Sequence, residues 1–270
     1  LSGCGVGFKL VQAYSQRYDI PFETLIPLLD LLVVSIASDL VSVTDENRIL
    51  AHYGLKQLNG NPREGLLAMI QLSGLEPSHL TIDDIVFKIG PRINAAGRME
   101  SGRIAVELLT ASNVDEAIRI GSEINEHNNE RKNVDREITV EAIEMVKQSP
   151  DFENRKSTVV YNPQWHKGVV GIVASRLVEA YYKPTIVLTN SNGFVTGSAR
   201  SIPGFDLYEA IESCSDLLEN FGGHMYAAGM TLKEENLAEF CERIEKHISG
   251  KIIPEMQTPV VDVDAVLNFS

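Results

Sequence analysis

Residues 113–148 (NVDEAIRIGSEINEHNNERKNVDREITVEAIEMVKQ) open on an asparagine suited to a helix cap, place Asp115 and Glu116 in the first turn and contain no proline. The pattern predicts one helix of about 50 Å, at about 1.5 Å of rise per residue. Apolar positions Ala117, Ile120 and Ile124 mark one end of it, and Val134, Ile138, Ala142 and Met145 the other. Between them Asn125 to Asn133 is polar on every side. A helix with no apolar face in its middle bridges two bodies through solvent, so the spacing sets a domain boundary there.

The text on either side of this helix differs in kind. Upstream, residues 1–50 carry a helical apolar pattern and the dense run LIPLLDLLVVSIASDLVSV, which predicts a buried helix followed by a turn. Residues 53–75 read as a short helix-rich linker region, and SHLTIDDIVFKIG as a capped helix start running into a loop, GPRINAAGRMESGR. Downstream, elements alternate: strand 157–161, helix 168–182, strands 185–189 and 194–199, helix 206–220, strand 226–232 and helix 235–248. That alternation predicts an α/β domain. The closing TPVVDVDAVLNF alternates like a strand.

Composition narrows the function classes. The 270 residues suffice for about two domains, and no apolar run approaches the ~20 residues of a membrane span. Three well-separated cysteines, Cys4, Cys214 and Cys241, lack CxxC spacing, which suggests neither a disulfide framework nor a zinc site and fits a reducing cytoplasm. The chain opens on Leu1 with no methionine and no signal-like segment, so upstream sequence is expected. A net charge of −13 counts against nucleic-acid binding through a broad basic surface and confines any polyanion contact to one cleft.

Five stretches carry candidate chemistry. Asp39 stands where the buried run breaks, as either a helix-ending residue or a carboxylate awaiting a divalent metal or an arginine. GPRINAAGRM sets Arg92, Asn94 and Arg98 beside Gly90 and Gly97, which offers planar forks for phosphate oxygens or merely a basic glycine turn. NPQWHKGVVGIVASRL places Trp165 and His166 ahead of a helix N-terminus, for base stacking and anion contact or for core packing and capping. TGSARSIPG and FGGHMYAAG put Ser198, Arg200 and His224 among glycines that permit close backbone approach. SGCGVGF lacks the Lys-Ser/Thr of a P-loop, and its glycines read as tight helix–sheet packing.

Taken in order, LSGCGVGFKL, LLDLLVVSIASDLVSVTDENR, KIGPRINAAGRM, WHKGVVGIVASRLVE and GSARSIPGFDLYEAIESCSDLLENFGGHMYAAG resemble the DHH/DHHA1 phosphoesterase superfamily, over residues 1 to 232. The resemblance implies an α/β protein: the C-terminal part of a DHH domain (1–50), a helical region with a long connecting helix (51–150), a DHHA1 domain with a mixed sheet (151–250), and a following module or docking strand (251–270). It further implies a two-metal nuclease using Mg2+ or Mn2+, acting 5′-to-3′ on single-stranded DNA in repair and recombination. A single-strand-binding protein or helicase is an implied partner.

In that family a DxD pair, a further Asp, the Asp-His-His motif and one last Asp, matching Asp39, hold the metals. The chain is expected to start downstream of the others, leaving a fragment inactive alone. The same likeness assigns the 5′ phosphate to Ser198 and Arg200, and the scissile backbone to Arg92, Arg98 and His224, with Asp39, His224 and Arg98 as catalytic residues. Two other readings stand beside it: a phosphoesterase on short oligonucleotides or cyclic dinucleotides, and a non-catalytic nucleic-acid-binding module.

Overall fold

The computed structural model describes residues 1–261, 263 and 265–267. It divides into two compact units, Leu1–Arg131 and Lys132–Ser270, and the division falls inside the polar stretch of the long helix.

The first unit is helical throughout its described residues. Its elements are α1 (Gly3–Arg17), α2 (Leu29–Ser38), α3 (Asp45–Gly60), α4 (Glu64–Leu72), α5 (Ile82–Asp84), α6 (Gly90–Met99) and α7 (Gly102–Leu109), followed by the first half of α8 (Val114–Gln148). The helix foreseen at 113–148 therefore forms almost as drawn. Leu32, Val33 and Ile36 of the dense run share one core with Leu58, Leu66, Met69, Ile70, Leu108 and Ile124. Residue 50 lies inside α3, and residues on both sides of it share this core. Residues 53–75 are correspondingly no linker: Leu66, Ala68, Met69 and Ile70 are fully buried.

Asp30 joins α2 to the start of α4. Its carboxylate, 1% exposed, accepts from the Arg63 backbone N–H at 3.1 Å and from Arg63 Nη2 at 2.8 Å. The same guanidinium donates to the carbonyls of Pro27 and Leu109, so one ion pair pins three chain segments.

Thr81 caps α5 reciprocally, its hydroxyl accepting from the Asp84 N–H while the Asp84 carboxylate accepts from the Thr81 N–H. Thr81→Ala should cost about 1 kcal/mol of stability in a thermal melt. The Lys88 ammonium beside it, then Thr81, hold the Asp84 carboxyl below its ordinary value. A depressed carboxyl contributes stability above the ordinary carboxylate range and loses it as pH falls through its folded value. The cap should therefore weaken only in acid, below about pH 4.

The stretch GPRINAAGRM is a helix, correcting the loop expected there. The α5 ladder continues through one π-helical turn, Ile85–Ile89, into α6, with Gly90 N–H reaching back to Ile85 O. Pro91, which has no N–H to donate, follows directly on this π-helical turn, where the regular i→i−4 ladder is already interrupted. Gly90 is required by contact: a Cβ would stand 2.5 Å from Ser38 Oγ. Gly3 and Gly7 meet no neighbour, and the described part of this unit holds no sheet, so the helix–sheet packing expected of SGCGVGF is absent.

The second unit is a five-stranded mixed sheet in the order β1-β2-β3-β5-β4: β1 (Thr158–Tyr161), β2 (Thr185–Ser191), β3 (Phe194–Arg200), β4 (Leu218–His224) and β5 (Ala227–Leu232). β1 and β2 run parallel, joined through α9 (Val170–Tyr181), and the other pairs are antiparallel. Ile186, Leu188, Val195, Ala199, Ala228, Met230 and Leu232 face one core with α10 (Leu207–Glu212) and with Phe240, Ile244 and Ile248 of α11 (Leu237–Lys251).

The helix expected over 206–220 stops at Glu212, and β4 takes its end. A bulge at Leu218/Asn220 marks where β4 joins β5. The middle of α8 is not wholly solvated either, since Asn128 and Asp135 are both fully buried and Asp135 pairs with Arg176 at 2.6 Å. Of the strand foreseen at 258–269, the described residues 258–261, 263 and 265–267 form none, and the remainder lie outside the described residues.

Candidate nucleic-acid interface

TGSARSIPG proves to be a strand followed by a turn. Alternation along β3 sends Val195 and Ala199 into the core and Ser198 and Arg200 to the opposite face. The strand ends at a turn in which Phe205 N–H donates to Ile202 O at 3.3 Å, Pro203 leads, and Gly204 supplies the positive φ of 85°. Arg200 Nη1 donates to Ser198 Oγ and to Ala199 O, both at 2.8 Å, so the hydroxyl and the guanidinium are held as one group. α9 closes on this pair through Gly171, where a Cβ would stand 2.9 Å from Arg200 Nη2 and 3.0 Å from Ser198 Oγ.

Register shows what continues beside them. Ser198 pairs with Gly229 and Gly229 with Gly222, while Arg200 pairs with Ala227 and Ala227 with His224. Direct cross-strand partners share a face, so these residues form two rows across β3, β5 and β4. At about 4.8 Å between strands, the Arg200 and His224 backbones lie about 10 Å apart. The floor between them is bare: a Cβ at Gly222 would meet nothing within 4 Å, and one at Gly229 only Gly197 O at 3.8 Å. His224 is exposed and its Nδ1 accepts from the Tyr226 N–H at 3.3 Å, orienting the ring. Such a shelf suits an extended chain lying flat, with cationic and hydroxyl donors along one side and a histidine on the other.

The remaining candidates separate. Trp165 is 4% exposed, and its indole N–H donates to Glu141 Oε2 at 2.8 Å, so it packs and has no face for a base. His166 Nδ1 accepts from the Gly168 N–H at 3.2 Å, which makes it a cap for the turn into α9.

In the first unit, Asn94 and Arg98 lie one turn apart on α6 and are exposed, whereas Arg92 lies on another side of the helix. Arg92 donates to Asn125 Oδ1 at 2.9 Å and to Lys88 O at 2.6 Å, and burial lowers its pKa from the ordinary value without discharging it.

Asp39 is the exposed C-cap of α2, not a carboxylate stranded in the core. It lines a cavity of about 560 Å3 with Ser42, Thr44, Asp45, Glu46 and Asn47. Among the described residues no group of three side-chain ligands close enough for one ion includes Asp39, so it fits as one ligand and not as a metal centre. An Asp-x-Asp triplet, unexpected from the reading above, does occur at residues 262–264, and both aspartates lie outside the described residues.

Sequence reasoning passed over Tyr226 and the pairing of Gly222 with Gly229. The signal available was the alternation of exposed and buried positions in AAGMTL, which fixes the face of Gly229.

The DHHA1 domain family matches residues 154–250, the stretch that holds all five strands. The single-stranded-DNA-specific exonuclease RecJ of Bacillus subtilis (strain 168) is 41% identical over 268 residues, or 98% of this chain. Over nearly its whole length the chain is similar to RecJ exonucleases. RecJ of Thermus thermophilus, solved in complex with Mg2+, superposes with a TM-score of 0.81 at 30% identity, covering 91% of this chain and 38% of that one. A manganese-bound exonuclease RecJ gives 0.75 at 27%, covering 94% of this chain and 64% of that one. The chain spans 33% of the Bacillus RecJ and 49% of the Escherichia coli (strain K12) RecJ, a third to a half of such relatives. No described helix is long and apolar enough to cross a membrane.

Proposed function

We propose that this chain is the strand-holding part of a 5′-to-3′ exonuclease on single-stranded DNA. One observation carries the reading: Ser198 and Arg200 are bonded into a single donor group beside an open glycine floor. Guanidinium and hydroxyl groups grip phosphate oxygens by charge-assisted hydrogen bonds, and bare backbone lets a strand lie close. In this reading Ser198 and Arg200 hold the 5′ phosphate and His224 touches the neighbouring backbone. Contact confined to such a site reconciles nucleic-acid binding with a net charge of −13, at the expense of salt sensitivity.

Residues 1–50 represent the C-terminal part of a DHH domain, with Asp39 as one ligand in a Mg2+ or Mn2+ centre completed by other parts of the protein. Those ions, when bound, supply the activated water and the charge stabilisation of phosphodiester hydrolysis. This stretch is inactive alone because one aspartate cannot position two ions. The intact protein acts in cytoplasmic DNA repair and recombination with a single-strand-binding protein or helicase.

Arg200→Ala should weaken binding of a 5′-phosphorylated single strand by about 1–3 kcal/mol in fluorescence anisotropy, with a smaller effect on a 5′-hydroxyl strand. Equal losses on both strands, or none, would remove the phosphate assignment. Nucleotide release from a 5′-phosphorylated strand by the full-length protein with Mn2+ tests the exonuclease reading.

A further inference from the structure

Glu100, at the C-cap of α6, meets Glu123 and His127 of α8 within the first unit. Glu123 and His127 are one helical turn apart and share a face. Each of the three side chains brings one ligand atom, and these atoms all lie within 4.8 Å of one another.

The contact between His127 and Glu100 argues that this is more than a surface group of charges. His127 Nε2 is shut off from solvent and makes no hydrogen bond, although Glu100 Oε2 is 3.1 Å away. The carboxylate is thus close to the nitrogen but not aligned with an N–H. Two ligands that meet one ion at right angles, with bonds of about 2.1 Å, stand about 3 Å apart with just this lack of alignment. The other ring nitrogen supports the same reading. The Glu130 carboxylate lies 4.0 Å from Nδ1, beyond hydrogen-bond reach but on the side from which a carboxylate commonly accepts the other ring N–H of a ligating histidine. Glu123 makes no hydrogen bond or ion pair among the described residues, which leaves its carboxylate available.

We infer that Glu100, Glu123 and His127 form a binding site for a divalent first-row transition-metal ion, with water completing the coordination. One imidazole and two carboxylates suit Zn2+, Mn2+ or Co2+ better than the all-oxygen preference of Mg2+. Two carboxylates in one cluster leave a local negative charge that a dication offsets. Bound there, the ion ties the end of α6, just after Arg98, to α8, fixing the helix that presents Asn94 and Arg98.

Calorimetric titration of the metal-free chain with Co2+ or Zn2+ tests the inference, with Asp39→Asn separating this site from ions held at the Asp39 cavity. The expected result is one equivalent of ion whose affinity falls at least about 10-fold in His127→Gln and in Glu123→Gln and is unchanged in Asp39→Asn. Glu123 has no described bond to lose, so its variant reports ligation even if the histidine variant folds poorly. Wild-type affinity in both His127→Gln and Glu123→Gln, loss of all binding in Asp39→Asn, or no binding by the parent chain would overturn it.

Discussion

Asp30→Ala should lower the free energy of unfolding by about 3–5 kcal/mol in urea denaturation, the scale of removing one partner from a buried ion pair. Asp30 is 1% exposed, and its carboxylate holds both the backbone and the side chain of Arg63. Without it the guanidinium remains in place against Pro27 O and Leu109 O with its charge uncompensated. The Arg63 side chain is 23% exposed, so part of that charge reaches water and the lower end of the range applies. Pairing Asp30→Leu with Arg63→Met should recover much of the loss, since apolar groups of similar volume replace such pairs at little cost. A single mutant as stable as the parent would show that the pair contributes nothing to holding α2 against α4.

The adjacent glycines of β4 should respond in opposite ways. Gly223 has φ of 151°, and a Cβ there would overlap Ala227 O and stand 2.6 Å from Ala228 Cα. Gly223→Ala should therefore destabilise by about 2–4 kcal/mol, through backbone strain and overlap together, and should disturb His224 beside it. Gly222 faces open space, and a valine there suits a strand. Gly222→Val should keep the parental melting temperature while, on the proposed function, reducing binding of a single strand at least about 10-fold, because its methyls would occupy the floor proposed for the strand. Normal binding by a folded Gly222→Val protein would show that nucleic acid does not cross this part of the sheet.

The parts of the fold legible from sequence were those whose pattern is local. α8 carries its own cap and two apolar stripes, and β1 and β2 are short runs of β-branched residues bounded by polar or proline punctuation. β4 was missed because Glu219, Asn220, Gly222 and Gly223 have poor strand propensity and become a strand only by pairing with β5. α6 was taken for a loop because Gly90, Pro91 and Gly97 punctuate it, and the helical ladder arriving from α5 overrides them.

Site residues follow the same logic. The two-residue spacing of Ser198 and Arg200 already puts them on one face of a strand. The burial of Trp165, by contrast, depends on Glu141 from 24 residues earlier in the chain, which no local pattern discloses. Asp39 stood out for breaking an apolar run, yet it is exposed, and only the family resemblance gives it a metal.

The margins of the sheet also bear on how readily a strand from another chain could be added to it. A sheet margin with a long, flat row of unpaired amides and carbonyls is a template for another chain's strand. Here one margin, β1, is four residues long. The other, β4, begins with a bulge and carries a glycine of unusual φ one residue before its end. A bulge adds local twist and breaks the regular spacing that an incoming strand must match. The irregular β4 that leaves Gly222 and His224 exposed is therefore a poor seat for a strand of a second copy.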